Sequence, residues 1–475
     1  MPLHAELIRE IEEGPSGPEV GAFFDLDGTL IATFSVFAFL SEGLRTGLLT
    51  ASALGEAMLT ALRFQTGQLS FSGFVNSTTS MLRDRSEEEF AAMGRRIFLD
   101  NLASQIYPEA RALVDAHRRK GHTLAVVSAA TPYQIAPFAS DLVIPNVLCT
   151  RLEVKKGLFT GNLVRPTCYG EGKATHARRL ARRLHVKMSR SYFYTDSDED
   201  LPLLDAVGKP RPTNPNKRLR EIATARGWPM RHFHSRGTPG VTEVVRTALA
   251  TGSLLPSFLL GLPAYALDGS WRRVVNLATA TWGEVGTALA GIDVQVTGEQ
   301  HLWSHRPAVF IFNHQSGIDM LLLAKLVRRD MVGVAKQELR NNPLFGLAFA
   351  MAGTVFIDRF NREKAIEAMK PAIDTLRQGL SITIAPEGTR SPTPRLGRFK
   401  KGAFHLAMAA NVPIVPIVFR NALDALPKHA YFVRSAVIEA VVHPPILTDE
   451  WTVDTLDERI EEIHKLYEDT LEGNL

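Results

Sequence analysis

The stretch Phe23–Leu30, FFDLDGTL, decides the first fold prediction, because it places Asp25 and Asp27 directly after an apolar run. A buried strand should not end in paired negative charge unless a positive group meets it. Apolar runs that end in functional residues are typical of central parallel strands, whose carboxyl ends line the site of a doubly wound sheet. Taken alone, D-x-D-G-T could also be a plain turn after a strand.

Further residues of the same kind follow along the chain. The apolar run TLAVVS ends at Ser128, and the run YFYT is followed by Asp196 and Asp200. Lys173, in GEGKATHA, opens a helical pattern between these two runs. If the runs are neighbouring parallel strands, their polar ends meet at one edge of the sheet, beside the two aspartates.

This combination suits the hydrolysis of a phosphomonoester. A carboxylate can attack a phosphoryl group and form an aspartyl-phosphate. Two anions repel, so a divalent cation such as Mg²⁺, which prefers oxygen ligands, must bridge the nucleophile and the phosphate. A lysine and a serine then hold the phosphate oxygens, and a second aspartate can protonate the leaving oxygen. The sequence therefore predicts a magnesium-dependent phosphatase.

Residues 21–235 resemble the phosphatases of the haloacid dehalogenase superfamily, in the phosphoserine-phosphatase-like branch that has a helical cap. Four motifs in order carry this resemblance. It implies that Asp25 is the nucleophile and that Asp27 is the acid/base. Ser128 and Lys173 would bind the phosphate. The implied Mg²⁺ ligands are Asp25, the main-chain carbonyl of Asp27, Asp196 and, in support, Asp200.

The resemblance also implies a Rossmann-like, doubly wound α/β domain with a helical cap. The helical stretch at about residues 34–118 is too long for a simple crossover between two strands, and we expect it to be that cap. Its segment FSVFAFLSEGLRTG is more apolar than a cap for a small polar amino acid would need. Either these apolar residues serve the substrate, or they form the core of the cap.

A second set of residues begins in NHQSGIDM, which contains His314 and, five residues later, Asp319. A lone histidine after an apolar strand is more often structural than catalytic. An aspartate across a turn, however, can accept a hydrogen bond from one imidazole nitrogen, orient the ring and raise its basicity. Ser316 lies between the two but matches no nucleophile motif. The pair is therefore predicted to activate a hydroxyl of the substrate.

Two later motifs are suited to hold a phosphate monoester. GTVFIDR ends in Arg359, and APEGTRS supplies the run Glu387–Arg390. Arginines, and backbone N–H groups beside a glycine, are good partners for phosphate oxygens. The basic stretch RLGRFKKG that follows adds positive charge, although it could also be a solvated loop.

These motifs resemble the glycerolipid acyltransferase family, which contains the lysophosphatidate acyltransferases, over roughly residues 295–445. N-H-x4-D, G-x-x-F-I-D-R, P-E-G-T-R-S and V-P-I-V-P occur in that order. The resemblance implies an α/β acyltransferase domain in which His314, with Asp319, deprotonates the acceptor hydroxyl. That hydroxyl would attack an acyl thioester carried by coenzyme A or by acyl carrier protein. The residues implied to hold the phosphate of a lysophosphatidate-like acceptor are Arg359, Glu387, Gly388, Thr389 and Arg390.

Composition limits the class of protein and its partners. The 475 residues are 45% hydrophobic and 22% charged, which is ordinary for globular proteins and allows two or three domains. The net charge is only +4, and no Cys/His zinc spacing or aromatic-basic motif is present, so nucleic acid is the least favoured partner. Two cysteines, Cys149 and Cys168, cannot form a disulfide framework, which indicates a reducing compartment.

The segment 247–267 carries no charge, and as a helix it would be about 31 Å long, just enough to span a bilayer core. Its prolines and glycines argue against a simple crossing. Glu284, in a second apolar segment at about 274–292, argues against a hairpin of both segments, because it would lie inside the bilayer. We expect the two segments to lie in the membrane interface on the cytoplasmic face, where both active sites find their reagents. A hairpin that spans the bilayer twice is the alternative.

The sequence thus predicts a bifunctional, membrane-associated enzyme of phospholipid biosynthesis. One alternative keeps the acyltransferase but makes the first domain a regulatory module without turnover. The other is a phosphoserine-type phosphatase whose second domain binds lipid. The expected parts of the chain are an N-terminal helix or tail (1–20), the phosphatase domain (21–235), a linker with membrane-interfacial helices (236–294), the acyltransferase domain (295–450) and a C-terminal helix (451–475).

Overall fold

The chain divides into two compact units, Met1–Thr238 and Pro239–Leu475, each with its own hydrophobic core. Both units are mixed α/β with parallel strands at the centre of the sheet, and the predicted fold class is confirmed. The computed structural model describes residues 5–47, 55, 79–343, 345–357 and 362–473.

A parallel sheet forms the centre of the first unit. The strands of this unit are β1 (Gly21–Phe24), β2 (Thr123–Ser128), β3 (Asn146–Cys149), β4 (Arg151–Lys155), β5 (Leu158–Val164), β6 (Tyr192–Thr195) and β7 (Lys209–Pro212). The sheet order is β3-β2-β1-β6-β7, while β4 and β5 form a separate antiparallel hairpin. Phe23 lies opposite Ala125 of β2 and Phe193 of β6. The residues that follow β1, β2 and β6 therefore meet at one edge of the sheet.

Helices cover both faces of this sheet. Because side chains alternate along a strand, Phe24 faces one buried cluster and Phe23 the other. This is the layering of a doubly wound domain. The helices of the unit are α1 (Ala5–Glu12), α2 (Ser35–Arg45), α3 (Glu87–Ile97), α4 (Pro108–Arg119), α5 (Pro132–Asp141), α6 (Glu171–Arg183), α7 (Leu201–Leu204) and α8 (Lys217–Arg226).

The segment expected to be the cap, about residues 34–118, divides into two kinds of structure. Residues 48–54 and 56–78 lie outside the described residues, and α2 and α3 flank them. In contrast, α4 packs against α1, and Arg119 at its end forms an ion pair with Glu12 at 2.7 Å. The helix α4 is thus part of the layer that covers the sheet, and the inserted cap ends before it.

A buried chain of hydrogen bonds ties α4 to the sheet. His117 Nε2 lies 2.9 Å from Tyr194 Oη, and His117 Nδ1 lies 2.7 Å from His122 Nδ1. His122 Nε2 lies 2.8 Å from the carbonyl oxygen of Pro15, which can only accept, so His122 carries its proton on Nε2. Both histidines are then fully hydrogen-bonded: His117 Nδ1 donates to His122 Nδ1, and Tyr194 Oη donates to His117 Nε2. Burial and the neighbouring His122 hold the pKa of His117 well below its usual value.

The second unit is built on a seven-stranded sheet. Its strands are β8 (Ile292–Thr297), β9 (Val309–Phe312), β10 (Met331–Lys336), β11 (Val355–Ile357), β12 (Ser381–Ile384), β13 (Ile414–Phe419) and β14 (Ala436–Val442). They lie in the order β11-β10-β12-β9-β13-β14-β8, and β13 and β14 pair antiparallel. Ile311 of β9 lies opposite Ile384 of β12, so the loops after these two parallel strands lie side by side. These loops carry His314 and Glu387.

The helices of the second unit are α9 (Val241–Gly252), α10 (Leu254–Asp268), α11 (Trp271–Ala290), α12 (His301–Ser304), α13 (Asp319–Val327), α14 (Gly346–Met351), α15 (Arg362–Arg377), α16 (Gly402–Ala410) and α17 (Leu456–Leu471). The C-terminal α17 packs on this unit, where Tyr467 is fully buried and donates a hydrogen bond to the Ile311 carbonyl at 2.8 Å.

The apolar segment 247–267 lies in α9 and α10, and the segment at about 274–292 lies in α11 up to Ala290. In α11, Glu284 accepts hydrogen bonds from Lys325 Nζ at 2.6 Å and from Arg328 Nη1 at 2.8 Å, and these bonds hold its pKa below the usual value. The charge of Glu284 is therefore satisfied by its own unit. Within the described residues, Val241–Asp268 is the one helical stretch that is long and apolar enough, by length and composition, to cross a membrane.

Candidate active sites

The first candidate site lies after β1, β2 and β6, and its centre is a buried lysine. Lys173, at the start of α6, is 3% exposed. Its Nζ lies 3.0 Å from Asp25 Oδ2 and donates to Asp200 Oδ2 at 2.8 Å. Burial alone would lower the pKa of Lys173, but the two carboxylates raise it above its usual value. A permanent positive charge therefore meets the paired negative charge that ends β1.

The carboxyl groups of Asp25 and Asp27 are poised near neutral pH. Burial raises the pKa of Asp25 to about 6, and it raises the pKa of Asp27 to about 7. Asp27 accepts hydrogen bonds from the Ser35 amide at 2.8 Å and from Ser35 Oγ at 3.2 Å. Gln134 Nε2 donates to the same Ser35 Oγ at 3.2 Å. A carboxyl group that titrates near pH 7 suits a proton donor and acceptor.

Ser128 ends β2 at the same edge and is 3% exposed. Its Oγ accepts a hydrogen bond from the Ala130 amide at 3.3 Å. Asp200 is engaged on one carboxylate oxygen by both Lys173 and Thr195, whose Oγ1 donates to it at 2.5 Å. Asp200 thus holds the lysine in place, which is a supporting role.

Asp196 completes the set of oxygen donors. A Cβ added at Gly28 would lie 2.2 Å from Asp196 Oδ2, and Gly28 has a φ of +72°, so only glycine allows this approach to the DLDGT loop. Burial and the charge of Asp25 raise the pKa of Asp196 to about 8. Two buried carboxylates that repel each other fit the oxygen donors that Mg²⁺ prefers.

Across the described ranges, no three His, Cys, Asp or Glu side chains are grouped so that they could hold a metal ion by themselves. A divalent cation between Asp25 and Asp196 would lower the pKa of both groups.

The second candidate site lies after β9, at the start of α13. His314 Nδ1 lies 2.7 Å from Asp319 Oδ2, which also accepts from the amides of Gln315 and Ser316, each at 3.0 Å. Asp319 is fully buried, whereas the His314 side chain is 23% exposed. The carboxylate thus fixes the tautomer with the proton on Nδ1, and Nε2 is the nitrogen that can accept a proton.

Glu387 has contacts that differ from the predicted contact with a phosphate. Its Oε1 accepts from the His314 amide at 2.7 Å, and its Oε2 accepts from the Gly397 amide at 2.8 Å. The side chain is buried, and burial raises its pKa to about 7. Both carboxylate oxygens are therefore used to hold backbone beside the histidine. An anion in this place would repel the acceptor's phosphate.

The rest of the loop after β12 presents positive groups. Gly388 has a φ of +75°, and a Cβ there would lie 2.8 Å from Lys400 Nζ. Arg390 Nη1 approaches Gly317, which lies between His314 and Asp319 in the chain. Thr389 is exposed, and Arg359 lies outside the described residues. The amide of Ser391 donates to the His314 carbonyl at 2.8 Å and ties this loop to the histidine.

An apolar cavity lies in the second unit near this site. Met320, which directly follows Asp319, is one of its lining residues. The remaining lining residues come from α10, α11, α13, α14, the turn that follows α14 and the strand β10, and they include Phe258, Ala278, Trp282 and Ala348.

Several contacts at the two sites carry no signal in the sequence. Ser35 follows Asp27 by eight residues, across a loop whose course the motif does not define. Asn313 exchanges two hydrogen bonds of 2.8 Å with the Phe419 backbone, and only its place beside His314 marks it. Gly397 lies in RLGRFKKG, a stretch whose sequence indicates only positive charge.

Comparison with known proteins gives two families. The family model of haloacid dehalogenase-like hydrolases matches residues 22–205, and that of acyltransferases matches residues 293–420. The 1-acyl-sn-glycerol-3-phosphate acyltransferase of Limnanthes alba is 37% identical over 225 residues, which are 47% of this chain and 77% of that protein. The 1-acyl-sn-glycerol-3-phosphate acyltransferase alpha of Homo sapiens is 35% identical over 219 residues, 46% of this chain and 77% of that protein. The inhibition of morphological differentiation protein of Streptomyces azureus is 31% identical over 277 residues, 56% of this chain and 98% of that protein.

Proposed function

This chain belongs to the 1-acyl-sn-glycerol-3-phosphate acyltransferase family and also carries a haloacid dehalogenase-like hydrolase domain, and on that premise we propose that one polypeptide performs two reactions. The second unit transfers an acyl group from a thioester of coenzyme A or acyl carrier protein to the sn-2 hydroxyl of lysophosphatidate, giving phosphatidate. The first unit hydrolyses a phosphomonoester with the help of Mg²⁺. The enzyme works at the cytoplasmic face of the cell membrane.

The observation that carries the acyl-transfer proposal is the pair of His314 and Asp319. With its proton held on Nδ1 by Asp319, His314 can take the proton of the acceptor hydroxyl on Nε2. The oxygen attacks the thioester carbonyl, the carbon–sulfur bond breaks, and the thiolate leaves with a proton returned by the imidazolium. Asp319 stabilises the imidazolium that forms in between.

Arg390 is the described group best placed to hold the acceptor's phosphate, because its guanidinium lies beside the loop of His314. Arg359, Gly388 and Thr389 are proposed to share this role, as the resemblance implies. Glu387 is proposed to act on the backbone of His314 instead. The cavity lined by Met320 offers a place for the acyl chain of the donor, because most of its lining side chains are apolar and Met320 directly follows Asp319 in the chain.

The observation that carries the phosphatase proposal is the buried cluster of Asp25, Lys173 and Asp200. In the proposed reaction an Asp25 carboxylate oxygen bonds to phosphorus while the bond from phosphorus to the ester oxygen breaks. That oxygen takes a proton from Asp27. A water oxygen then bonds to phosphorus while the bond from phosphorus to the Asp25 oxygen breaks. The proton of the water passes to Asp27, the Asp25 carboxylate is regenerated, and inorganic phosphate leaves.

The positive charge of Lys173, with the hydroxyl of Ser128, holds the phosphoryl oxygens in this reaction. Asp25, Asp196 and the Asp27 carbonyl would hold Mg²⁺, with Asp200 in support through Lys173. The ion would neutralise the charge between the nucleophile and the phosphate. A regulatory first unit without turnover is the alternative, and it offers no reason for a buried lysine paired with the nucleophile.

Membrane association is proposed to occur through α9 and α10. Leu259 and Leu260 are 66% and 65% exposed, and Leu267 is 78% exposed. Several exposed leucines on one helix are unusual on a soluble surface and suit the boundary between headgroups and acyl chains. Because Glu284 is paired within its own unit, the following helix α11 need not enter the bilayer. We therefore expect an interfacial position for residues 247–292.

The experiment that tests the proposed function is a panel assay on the purified chain. Phosphate release is measured with soluble and lipid phosphomonoesters, with and without Mg²⁺, and acyl transfer is measured with lysophosphatidate and a thioester donor. Both reactions are expected, and chelation of Mg²⁺ should remove phosphate release alone. Absence of phosphate release from every monoester would favour the regulatory alternative.

A further inference from the structure

The start of α2 lies at the mouth of the phosphatase site. The Ser35 amide and hydroxyl donate to the two carboxylate oxygens of Asp27 at 2.8 and 3.2 Å, and Gln134 holds Ser35 from the other side. Ser35 itself is fully buried. The residues on either side of Ser35 are therefore neighbours of the residue that is hydrogen-bonded to Asp27, the proposed acid/base. They cannot move away from the site unless these hydrogen bonds break.

The residues that flank Ser35 are large, apolar and exposed. Phe34 is 54% exposed, Val36 is 39% exposed and Phe37 is 63% exposed. The rings of Phe34 and Phe37 pack edge to face, with centroids 6.2 Å apart. Among the described residues, the buried core of this unit includes Phe39 of α2 and none of these three side chains. Two aromatic rings left in water beside a catalytic carboxylate indicate an apolar ligand.

The charges at this mouth point to the same class of ligand. The first seven residues of α2, SVFAFLS, carry no charge, and the first charged residue, Glu42, is paired with Arg45 at 2.7 Å. A phosphorylated amino acid would bring an ammonium group and a carboxylate against these rings. The described residues of α2 offer these groups no free charged partner, and desolvating them against the rings alone would be costly. An acyl chain in the same place buries apolar surface on both sides.

We infer that the first unit hydrolyses a phosphomonoester that carries an acyl chain, and that Phe34, Val36 and Phe37 hold that chain. This inference rests on the proposed phosphatase function and names its substrate class. The phosphate enters the site of Asp25 and Lys173, and the chain leaves along the exposed side of α2. The products are the glycerolipid alcohol and inorganic phosphate. Lysophosphatidate and phosphatidate, the acceptor and product of the second unit, belong to this class.

The test compares substrates that share a headgroup and differ in the tail. Phosphate release is measured on the full chain without thioester donor, using octanoyl-lysophosphatidate below its micelle concentration, a short-chain phosphatidate, glycerol 3-phosphate and phosphoserine. 4-Nitrophenyl phosphate reports the chemistry alone, and the Asp25→Asn protein gives the blank. We expect kcat/KM for the best lipid to exceed that for glycerol 3-phosphate and phosphoserine by about tenfold or more. Whichever of lysophosphatidate and phosphatidate is hydrolysed better shows whether the substrate is the acceptor or the product of the second unit.

The double variant Phe34→Ser/Phe37→Ser tests the residues. It should lower the ratio of kcat/KM for lipid over glycerol 3-phosphate by about tenfold or more. Leu184→Ser, a change at an apolar residue that directly follows α6 and is 38% exposed, should keep the ratio. Phosphoserine as the best substrate, or an unchanged ratio, would overturn the inference. So would a loss seen only with micelles and not with monomeric lipid, because the rings would then contact the membrane. If 4-nitrophenyl phosphate is not hydrolysed either, the proposed phosphatase function itself has failed.

Discussion

Replacing Glu387 by glutamine tests whether this residue acts on the histidine or on the substrate. In the structure its two oxygens accept from the amides of His314 and Gly397 at 2.7 and 2.8 Å. A glutamine of the same shape must turn its NH₂ group toward one of these N–H groups, so one bond is lost and two buried donors face each other. That costs about 2 kcal/mol. If the whole cost falls on the transition state, kcat decreases by about 30-fold.

The effect should appear in kcat and not in KM for lysophosphatidate. The carboxylate has no place for a phosphate, and removing its charge does not weaken phosphate binding. Burial raises the pKa of Glu387 to about 7, so replacing it by a neutral amide also removes the cost of burying a charge. This gain should offset part of the lost hydrogen bond in the folded state, and the melting temperature should decrease by less than the loss of activity would suggest.

The assay is acyl transfer at several acceptor concentrations, with Glu439→Gln as the control, since Glu439 is half exposed and contacts Arg420 only at 3.5 Å. The pH dependence gives a second readout. Protonation of Glu387 as the pH falls through about 7 removes a charged acceptor, so that part of the decrease in kcat should be absent from the variant. A large increase in KM with unchanged kcat would show that Glu387 contacts the acceptor and would refute this reasoning.

Three further predictions follow from buried or exposed groups. Ala348→Leu, which fills the apolar cavity, should lower kcat/KM for the longest accepted acyl thioester by about tenfold or more relative to shorter ones, and an equal effect on all chain lengths would contradict this. The double variant Leu259→Ser/Leu260→Ser should weaken binding to anionic vesicles by about tenfold or more, whereas Val453→Ser, at another exposed apolar residue, should not. Equal binding by the wild type and both variants would exclude α10 from the membrane contact. Because burial lowers the pKa of His117, its stabilising contribution is complete above the unfolded value of 6.5 and is lost as the pH falls below it. The destabilisation caused by His117→Leu, followed in urea by pulse proteolysis of the first unit, should therefore shrink by up to about 1.4 kcal/mol per pH unit below that value, and a constant loss would refute the assignment.

The parts of the sites that the sequence predicts are those at the ends of parallel strands. Asp25, Ser128 and Asp196 each follow an apolar run, and the register of β1 with β2 and β6 brings the three ends together. The pairing of His314 with Asp319 is likewise local, because five residues across a turn allow little choice. These expectations depend only on sheet geometry and on short loops.

The contacts that the sequence does not predict join residues that are far apart along the chain. Glu387 lies in a motif that resembles a phosphate-binding loop, yet it holds the His314 backbone 73 residues away. Such a pairing depends on which strands are neighbours in the sheet. The extent of the cap is a similar case, since the helical pattern continues through α4, although that helix covers the sheet. Helical periodicity identifies a helix but does not identify the surface on which it packs.

The central claim is that one chain has two independent active sites, and a pair of single variants tests it most directly. Wild-type, Asp25→Asn and His314→Ala proteins are purified and each is assayed for phosphate release and for acyl transfer. Asp25→Asn should lose phosphate release by at least about 10³-fold and keep acyl transfer, and His314→Ala should show the reverse. Near-normal phosphate release by Asp25→Asn would contradict the assignment of the nucleophile. Loss of both activities in either variant would contradict the independence of the two sites.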